Sequence, residues 1–165
     1  MKKLHLFTDG SVDSASKIGY GAYLLVAETE LALDELSRRI NVQRFEQTSS
    51  TRLELQTLLW ALGEAHATKC KLTIYSDSQN IISLPARRKK LEQCNFYSKQ
   101  NRRLNNHQLY QDFYRLTDHL VCDFFKVRGH RPAQQKNTIE QIFDLVDRAS
   151  RKALRKDKNL TCSDV

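Results

Sequence analysis

The sequence has no long hydrophobic run and no cysteine pair at a spacing typical of a zinc or redox site. No stretch approaches the roughly 18 apolar residues of a membrane span, and the apolar stretch near the N-terminus stops at Asp9, too early for a signal peptide. The four cysteines are scattered, so we expect reduced thiols. These absences predict a cytoplasmic protein without a membrane segment.

A linker, an internal repeat and a low-complexity segment are also absent. The 165 residues, 40% of them hydrophobic, suffice for one core. We predict one domain over residues 1–156, followed by a disordered C-terminal tail over residues 157–165.

Acidic residues are fewer than basic ones. The 27 lysines and arginines exceed the 19 aspartates and glutamates, which gives a formal net charge of +8. Such a balance favours a polyanionic partner. If several acids gather at one site, the remaining surface is more basic still, and that asymmetry favours a nucleic-acid enzyme.

The first predicted strand carries a carboxylate at its end. Residues 4–9 alternate with the period of two of a strand, and Gly10 follows as a turn residue. Asp9 lies on the same face as Phe7. Because a buried sheet rarely tolerates an unpaired carboxylate, Asp9 needs a cation, a hydrogen-bond donor or access to water.

Hydrophobic periodicity predicts the remaining elements. Residues 28–37 form a loop or a short helix. Further strands are predicted over residues 20–27, 40–45, 71–76 and 121–127, and helices over residues 51–67, 78–84, 106–120 and 138–155.

Glu54 and Asp77 each have two interpretations. Thr51 and Glu54 have the spacing of a capping box, yet Glu54 also lies at the edge of the apolar stripe, where it can face the sheet. Asp77 either helps to cap the next helix or, as a residue that ends a strand, lies at the carboxyl edge of the sheet, where open α/β folds bind ligands.

The last predicted helix contains two candidate aspartates. With Val146 at the centre of the apolar stripe, Asp147 falls about 100° away at its margin, and Asp144 falls about 160° away towards solvent. Asp147 can therefore reach the sheet. Together with Asp9, Glu54 and Asp77 it would form a group of carboxylates that repel one another without a cation. Oxygen ligands of this kind select hard ions such as Mg²⁺.

A basic stretch and a histidine are further candidates. Arg87, Arg88, Lys89 and Lys90 open a stretch that continues to Arg103, with Phe96 and Tyr97 between the charges. Such runs are often solvated helix faces, but interleaved aromatics favour a surface that contacts phosphate backbones. His130 lies in a polar loop, where a lone histidine is usually inert.

Five short motifs cover residues 3–153 and read Phe7-Thr-Asp-Gly-Ser, Arg52-Leu-Glu-Leu, Ser76-Asp-Ser-Gln, Val127-Arg-Gly-His and Val146-Asp-Arg-Ala. Together they resemble the ribonuclease H family, in the order in which that family shows them. Each motif is weak alone, but the ordered set is highly specific. The resemblance implies an α/β ribonuclease H-like fold, in which helices lie on both faces of a mixed five-stranded sheet.

The resemblance also implies endonucleolytic hydrolysis of the RNA strand of RNA/DNA hybrids. Two Mg²⁺ ions about 4 Å apart, with Mn²⁺ as an alternative, would be held by Asp9, Glu54, Asp77 and Asp147. His130 would assist proton transfer or product release. Ser49, Ser50, Thr51 and Gln79 would contact the minor groove, where 2′-hydroxyls mark RNA. We expect a monomer.

The sequence departs from the family pattern at four places. Ser49 to Thr51 stand where the family usually has asparagines, and residues 12–17 replace a Gly-rich turn. The basic stretch lacks tryptophan, and the loop after His130 is longer than usual. Two alternatives stay open: a nuclease of the same fold that cleaves DNA, and a non-catalytic module that binds hybrids.

Overall fold

A mixed five-stranded sheet is the centre of the structure, a computed structural model that describes residues 1–30, 32–66, 69–128 and 131–163. The strand order is β3-β2-β1-β4-β5. Neighbours β1–β2 and β2–β3 are antiparallel, and β1–β4 and β4–β5 are parallel. The strands are β1 (Lys2–Asp13), β2 (Ile18–Ala27), β3 (Asn41–Phe45), β4 (Cys70–Ser76) and β5 (Val121–Lys126). The predicted mixed sheet is confirmed.

Helices cover both faces of this sheet, as predicted. They are α1 (Leu33–Leu36), α2 (Ser50–Ala65), α3 (Gln79–Gln93), α4 (His107–Thr117) and α5 (Thr138–Ser163), with 3₁₀ turns at Ser37–Arg39 and Ala133–Gln135. Leu4 and Leu6 of β1 pack in a core with α2, α3 and α4, whereas Phe7 packs on the other face with α5. Alternate side chains of β1 thus pack into two separate cores. No helix in the described ranges is long and apolar enough to cross a membrane.

Helix α3 does not end before Pro85, contrary to the sequence prediction. It continues through the proline to Gln93. Proline lacks the N–H of one helical hydrogen bond, but Ile81, Leu84 and Leu91 are buried in the core on either side of it. Packing of this apolar face therefore outweighs the local signal to stop.

Helix α5 extends to Ser163, so the prediction of a disordered tail is wrong for residues 157–163. The side chain of Asp157 accepts hydrogen bonds from the Tyr20 hydroxyl at 2.8 Å and from Arg44 Nε at 2.9 Å. Lys158 Nζ lies 3.1 Å from Asp13 Oδ1. These contacts join the last turns of α5 to β1, β2 and β3.

Candidate active site

Asp9 lies where the pairing of β1 with β4 ends. The sequence predicted that the first strand ends at Asp9. In the structure, β1 continues to Asp13 beside β2. Its last pair with β4 joins Phe7 to Tyr75. Asp9 is half-buried, and one of its carboxylate oxygens accepts a hydrogen bond of 2.9 Å from the Gly10 amide.

Asp77 lies at the same edge, because the two strands are parallel. It follows Tyr75 by two residues, as Asp9 follows Phe7, so the register brings both aspartates to the carboxyl end of the sheet. Asp77 is exposed, and together with Asp9, Glu54 and Thr57 it lines a small cleft. The interpretation of Asp77 as a residue at the sheet edge is supported, because the side chain that caps α3 belongs to Ser78.

Glu54 faces the cleft and does not form a capping box with Thr51. Helix α2 is capped two residues earlier, by Ser49 Oγ, which accepts from the Arg52 amide at 3.3 Å. Glu54 Oε2 instead accepts a hydrogen bond of 2.6 Å from Ser78 Oγ. Burial raises the pKa of Glu54, the hydrogen bond from Ser78 lowers it, and the charge of Asp77 raises it.

Asp147 of α5 reaches the cluster from the opposite face of the sheet. Its carboxylate interacts with Asp9 and accepts a hydrogen bond of 2.9 Å from Arg151 Nε, one turn along the helix. Asp144 was predicted to point to solvent, away from the sheet. It does not line the cleft, but its side chain is not simply solvated. It is half-buried and paired with Lys136.

The electrostatics of Asp9 reflect its burial and the two acids nearest to it. Burial is the largest cause of its raised pKa, followed by the charge of Asp77 and hydrogen bonding with Asp147, and these outweigh the opposing hydrogen bond from Gly10. The pKa of Asp9 rises from 3.8 to about 8. Burial and the neighbouring acids therefore disfavour the ionised form of Asp9 in the absence of a cation.

The carboxylates are not arranged as a finished metal site. Across the described ranges, no three carboxylate, imidazole or thiol side chains lie close enough together to hold one ion. Glu54 is turned towards Ser78 and Asp147 towards Arg151. The chemistry of the donors nevertheless fits a hard divalent cation, because all are carboxylate oxygens and their mutual repulsion would be relieved by positive charge.

Sequence reasoning missed the polar contacts that hold these acids. Ser150 is buried, and its Oγ lies 3.0 Å from Ser11 Oγ and donates to the Asp147 carbonyl at 2.9 Å. Glu140, the one acid that is buried among the described residues, has Oε1 3.8 Å from Arg131. Only Ser78 gave a signal in the sequence, as a helix cap.

The residues predicted to contact the minor groove lie beside the cleft. Ser49, Ser50 and Thr51 are exposed at the start of α2. Gln79, at the start of α3, is also exposed, and its Oε1 accepts from Lys126 Nζ at 3.0 Å. The structure thus brings both predicted segments to the N-terminal ends of helices that flank the carboxylates.

The predicted basic surface divides into two parts. Arg87 Nη2 donates to the carbonyl and the side-chain oxygen of Asn80, at 3.0 and 2.6 Å. Arg88 binds Glu92 and Asp118. Lys89 and Lys90, in contrast, are exposed.

The aromatic part of that surface also needs correction. Phe96 is buried in the core with α4, whereas Tyr97 is exposed and lies under the guanidinium of Arg103 at 5.8 Å. Phe96 therefore cannot contact nucleic acid. His130 lies outside the described residues, so its predicted role stays a prediction.

The fold and the cleft define a class: α/β proteins that hold carboxylates at the carboxyl edge of a mixed sheet. Within that class, the family model for RNase H matches residues 1–154 of the chain. The chain belongs to the RNase H family. The enzyme predicted from the five motifs, a ribonuclease H, is thereby confirmed.

Relatives and solved structures agree with this assignment. The chain is 25% identical to the ribonuclease H of Chlorobaculum parvum over 145 residues, which cover 86% of this chain and 92% of the relative. It is 26% identical to the ribonuclease H of Acetivibrio thermocellus over 146 residues, with the same two coverages.

Among solved structures, the PFV RNase H domain matches the fold with a TM-score of 0.73 at 12% identity, covering 92% of this chain and 93% of that one. LC11-RNase H1 in complex with RNA/DNA hybrid has a TM-score of 0.58 at 14% identity, and the match covers 92% of this chain and 99% of that one.

Proposed function

We propose that this protein hydrolyses the RNA strand of RNA/DNA hybrids endonucleolytically and depends on divalent metal ions for this activity. The observation that carries the proposal is the cleft at the carboxyl edge of the sheet, which Asp9, Glu54 and Asp77 line and where Asp147 interacts with Asp9. Repulsion among these carboxylates destabilises the fold unless a cation binds to them. The name ribonuclease H of the curated relatives supports the choice of substrate.

The four carboxylates would hold two Mg²⁺ ions, and Mn²⁺ offers the same oxygen preference. Bound there, the ions supply an activated water and stabilise the charge on the leaving 3′-oxygen. Ser78 keeps Glu54 directed into the cleft, and Arg151 holds Asp147 at the margin of α5. His130 would assist proton transfer or product release.

Substrate recognition would come from the ends of α2 and α3. The hydroxyls of Ser49, Ser50 and Thr51 can both donate and accept hydrogen bonds, and so can the amide of Gln79. Such groups can read the 2′-hydroxyls of the RNA strand in a wide minor groove. The exposed Lys89 and Lys90 would contact phosphates further along the hybrid.

The proposal is tested by cleavage of end-labelled RNA/DNA, DNA/DNA and RNA/RNA duplexes in Mg²⁺, Mn²⁺ or chelator. Wild type is compared with Asp77→Asn and with the control Asp34→Asn, an exposed acid outside the cleft. We expect metal-dependent cutting of the RNA strand in the hybrid alone, lost in Asp77→Asn and retained in Asp34→Asn. Cleavage of DNA, or hybrid binding without cleavage, would contradict the proposal.

A further inference from the structure

A groove beside α5 shares no lining residue with the carboxylate cleft. It lies between α5 and the edge strand β3 and has a volume of about 430 Å³. Ile40 and Val42 line it from the sheet side, and Leu145, Ala149 and Ala153 line it from the helix. Val42 is 40% exposed. The floor of the groove is therefore apolar and open.

Three cations form one rim of the groove. Arg148, Lys152 and Lys156 are spaced by four residues on α5, so they lie in one row along the helix. All three are exposed. In the described part of the chain, no salt bridge or hydrogen bond involves their side chains, whereas Arg151 on the same helix binds Asp147.

This row of like charges is unfavourable for an isolated helix. None of the described residues that line the groove is acidic. The groove leads away from the carboxylates, because Lys156 lies nine residues beyond Asp147, about 13 Å along the helix axis. An anionic partner along this row would offset the repulsion.

We propose that this groove binds an acidic amphipathic helix of a partner protein. From Leu145 to Lys156 the groove extends about 17 Å, the length of three helical turns. The apolar floor would receive the apolar stripe of such a helix, and Glu or Asp side chains four residues apart would face the three cations. A nucleic acid offers phosphates for the rim but no apolar stripe for the floor.

The test uses a fluorescent 15-residue synthetic peptide with a leucine stripe and glutamates four residues apart, next to a scrambled peptide of the same composition. Binding is followed by fluorescence anisotropy. Lys152→Glu with Lys156→Glu should weaken binding of the amphipathic peptide at least about tenfold, because two attractive pairs become repulsive. Val42→Ser should weaken it by removing part of the apolar floor.

The matched control is Lys2→Glu with Lys99→Glu, which makes the same change of charge at exposed lysines that do not line the groove. It should leave peptide binding unchanged. Equal binding of the scrambled peptide, or equal weakening by the control, would reduce the effect to net charge and overturn the proposal.

Hybrid cleavage by the groove variants separates this inference from the proposed function. Lys152→Glu with Lys156→Glu should cleave the labelled hybrid at the wild-type rate. If the same variant loses hybrid affinity and binds the peptide normally, the row of cations belongs to a nucleic-acid surface, and the protein partner is ruled out.

Discussion

Ser150 Oγ lies 3.0 Å from Ser11 Oγ, and this pair joins α5 to β1 beside the carboxylate cluster. Ser11 follows Asp9 by two residues, and Ser150 Oγ also donates to the carbonyl of Asp147. The two chain segments that carry Asp9 and Asp147 are thus connected by a short series of hydrogen bonds. The hydroxyl of Ser11 therefore donates to Ser150.

Ser11→Ala and Ser150→Ala should be energetically coupled. Each should lower the free energy of unfolding by about 1 kcal/mol, because each removes the hydrogen bond between the two hydroxyls. The double variant should lose less than the sum. Urea denaturation of the four proteins measures the coupling, and Ser11→Ala combined with Ser83→Ala, on the other side of the sheet, should be additive. Additivity in both cycles would show that the hydrogen bond contributes nothing.

The stability of the metal-free protein should fall as the pH rises towards 8. The fold raises the pKa of Asp9 from 3.8 to about 8, mainly by burial, so it favours the protonated form. This stabilisation is complete below pH 3.8 and is lost as the pH passes through 8. Melting temperatures in chelator between pH 5 and 9 should decline more steeply for wild type than for Asp9→Asn.

Mg²⁺ should reduce the same decline in the wild type, because a bound cation stabilises the ionised carboxylates. Asp34→Asn is the control, since it removes an exposed acid outside the cluster. If the melting temperatures of wild type and Asp9→Asn vary with pH in parallel, Asp9 does not control this behaviour.

Ser78 should affect stability and activity through two different hydrogen bonds. Its Oγ caps α3 by accepting from the Ile81 amide at 3.3 Å, and it donates to Glu54 at 2.6 Å. Ser78→Ala should cost about 1 kcal/mol of stability, whereas Ser78→Gly should cost only a few tenths. Both should reduce hybrid cleavage, because both release Glu54, and Ser78→Thr should retain most activity. Wild-type cleavage by Ser78→Gly would show that Glu54 needs no such donor.

Substitution of the exposed lysines of α3 should weaken hybrid binding, whereas substitution of its packed arginine should lower stability. Lys89→Gln with Lys90→Gln should weaken hybrid binding and reduce the slope of log K against log salt by about two, with little change in melting temperature. Arg87→Gln should lower the melting temperature instead, because Asn80 loses its hydrogen bonds to the guanidinium. Filter binding at several salt concentrations, with thermal denaturation, distinguishes them. If the slope of log K against log salt is unchanged in the lysine variant, Lys89 and Lys90 do not contact the hybrid and form only a solvated helix face.

Much of the fold was predictable because it depends on local periodicity. The alternation in residues 4–9 predicted a strand, and the structure places Leu6 and Phe7 of this strand in different cores. The angular position of Asp147 beside Val146 likewise predicted which aspartate of α5 reaches the sheet. Errors arose where distant contacts override local signals, as at Pro85, at Phe96 and in the last turns of α5.

The sequence by itself determined the order of the elements and the places where acids follow strands or border apolar stripes. Side-chain periodicity and helix geometry follow from the backbone, and they need no knowledge of neighbours. Only the tertiary structure decided that Ser78 holds Glu54, that Ser150 contacts Ser11, and that Arg87 is packed while Lys89 is exposed. Such choices join residues as much as 139 positions apart, and packing, not local pattern, sets which of them meet.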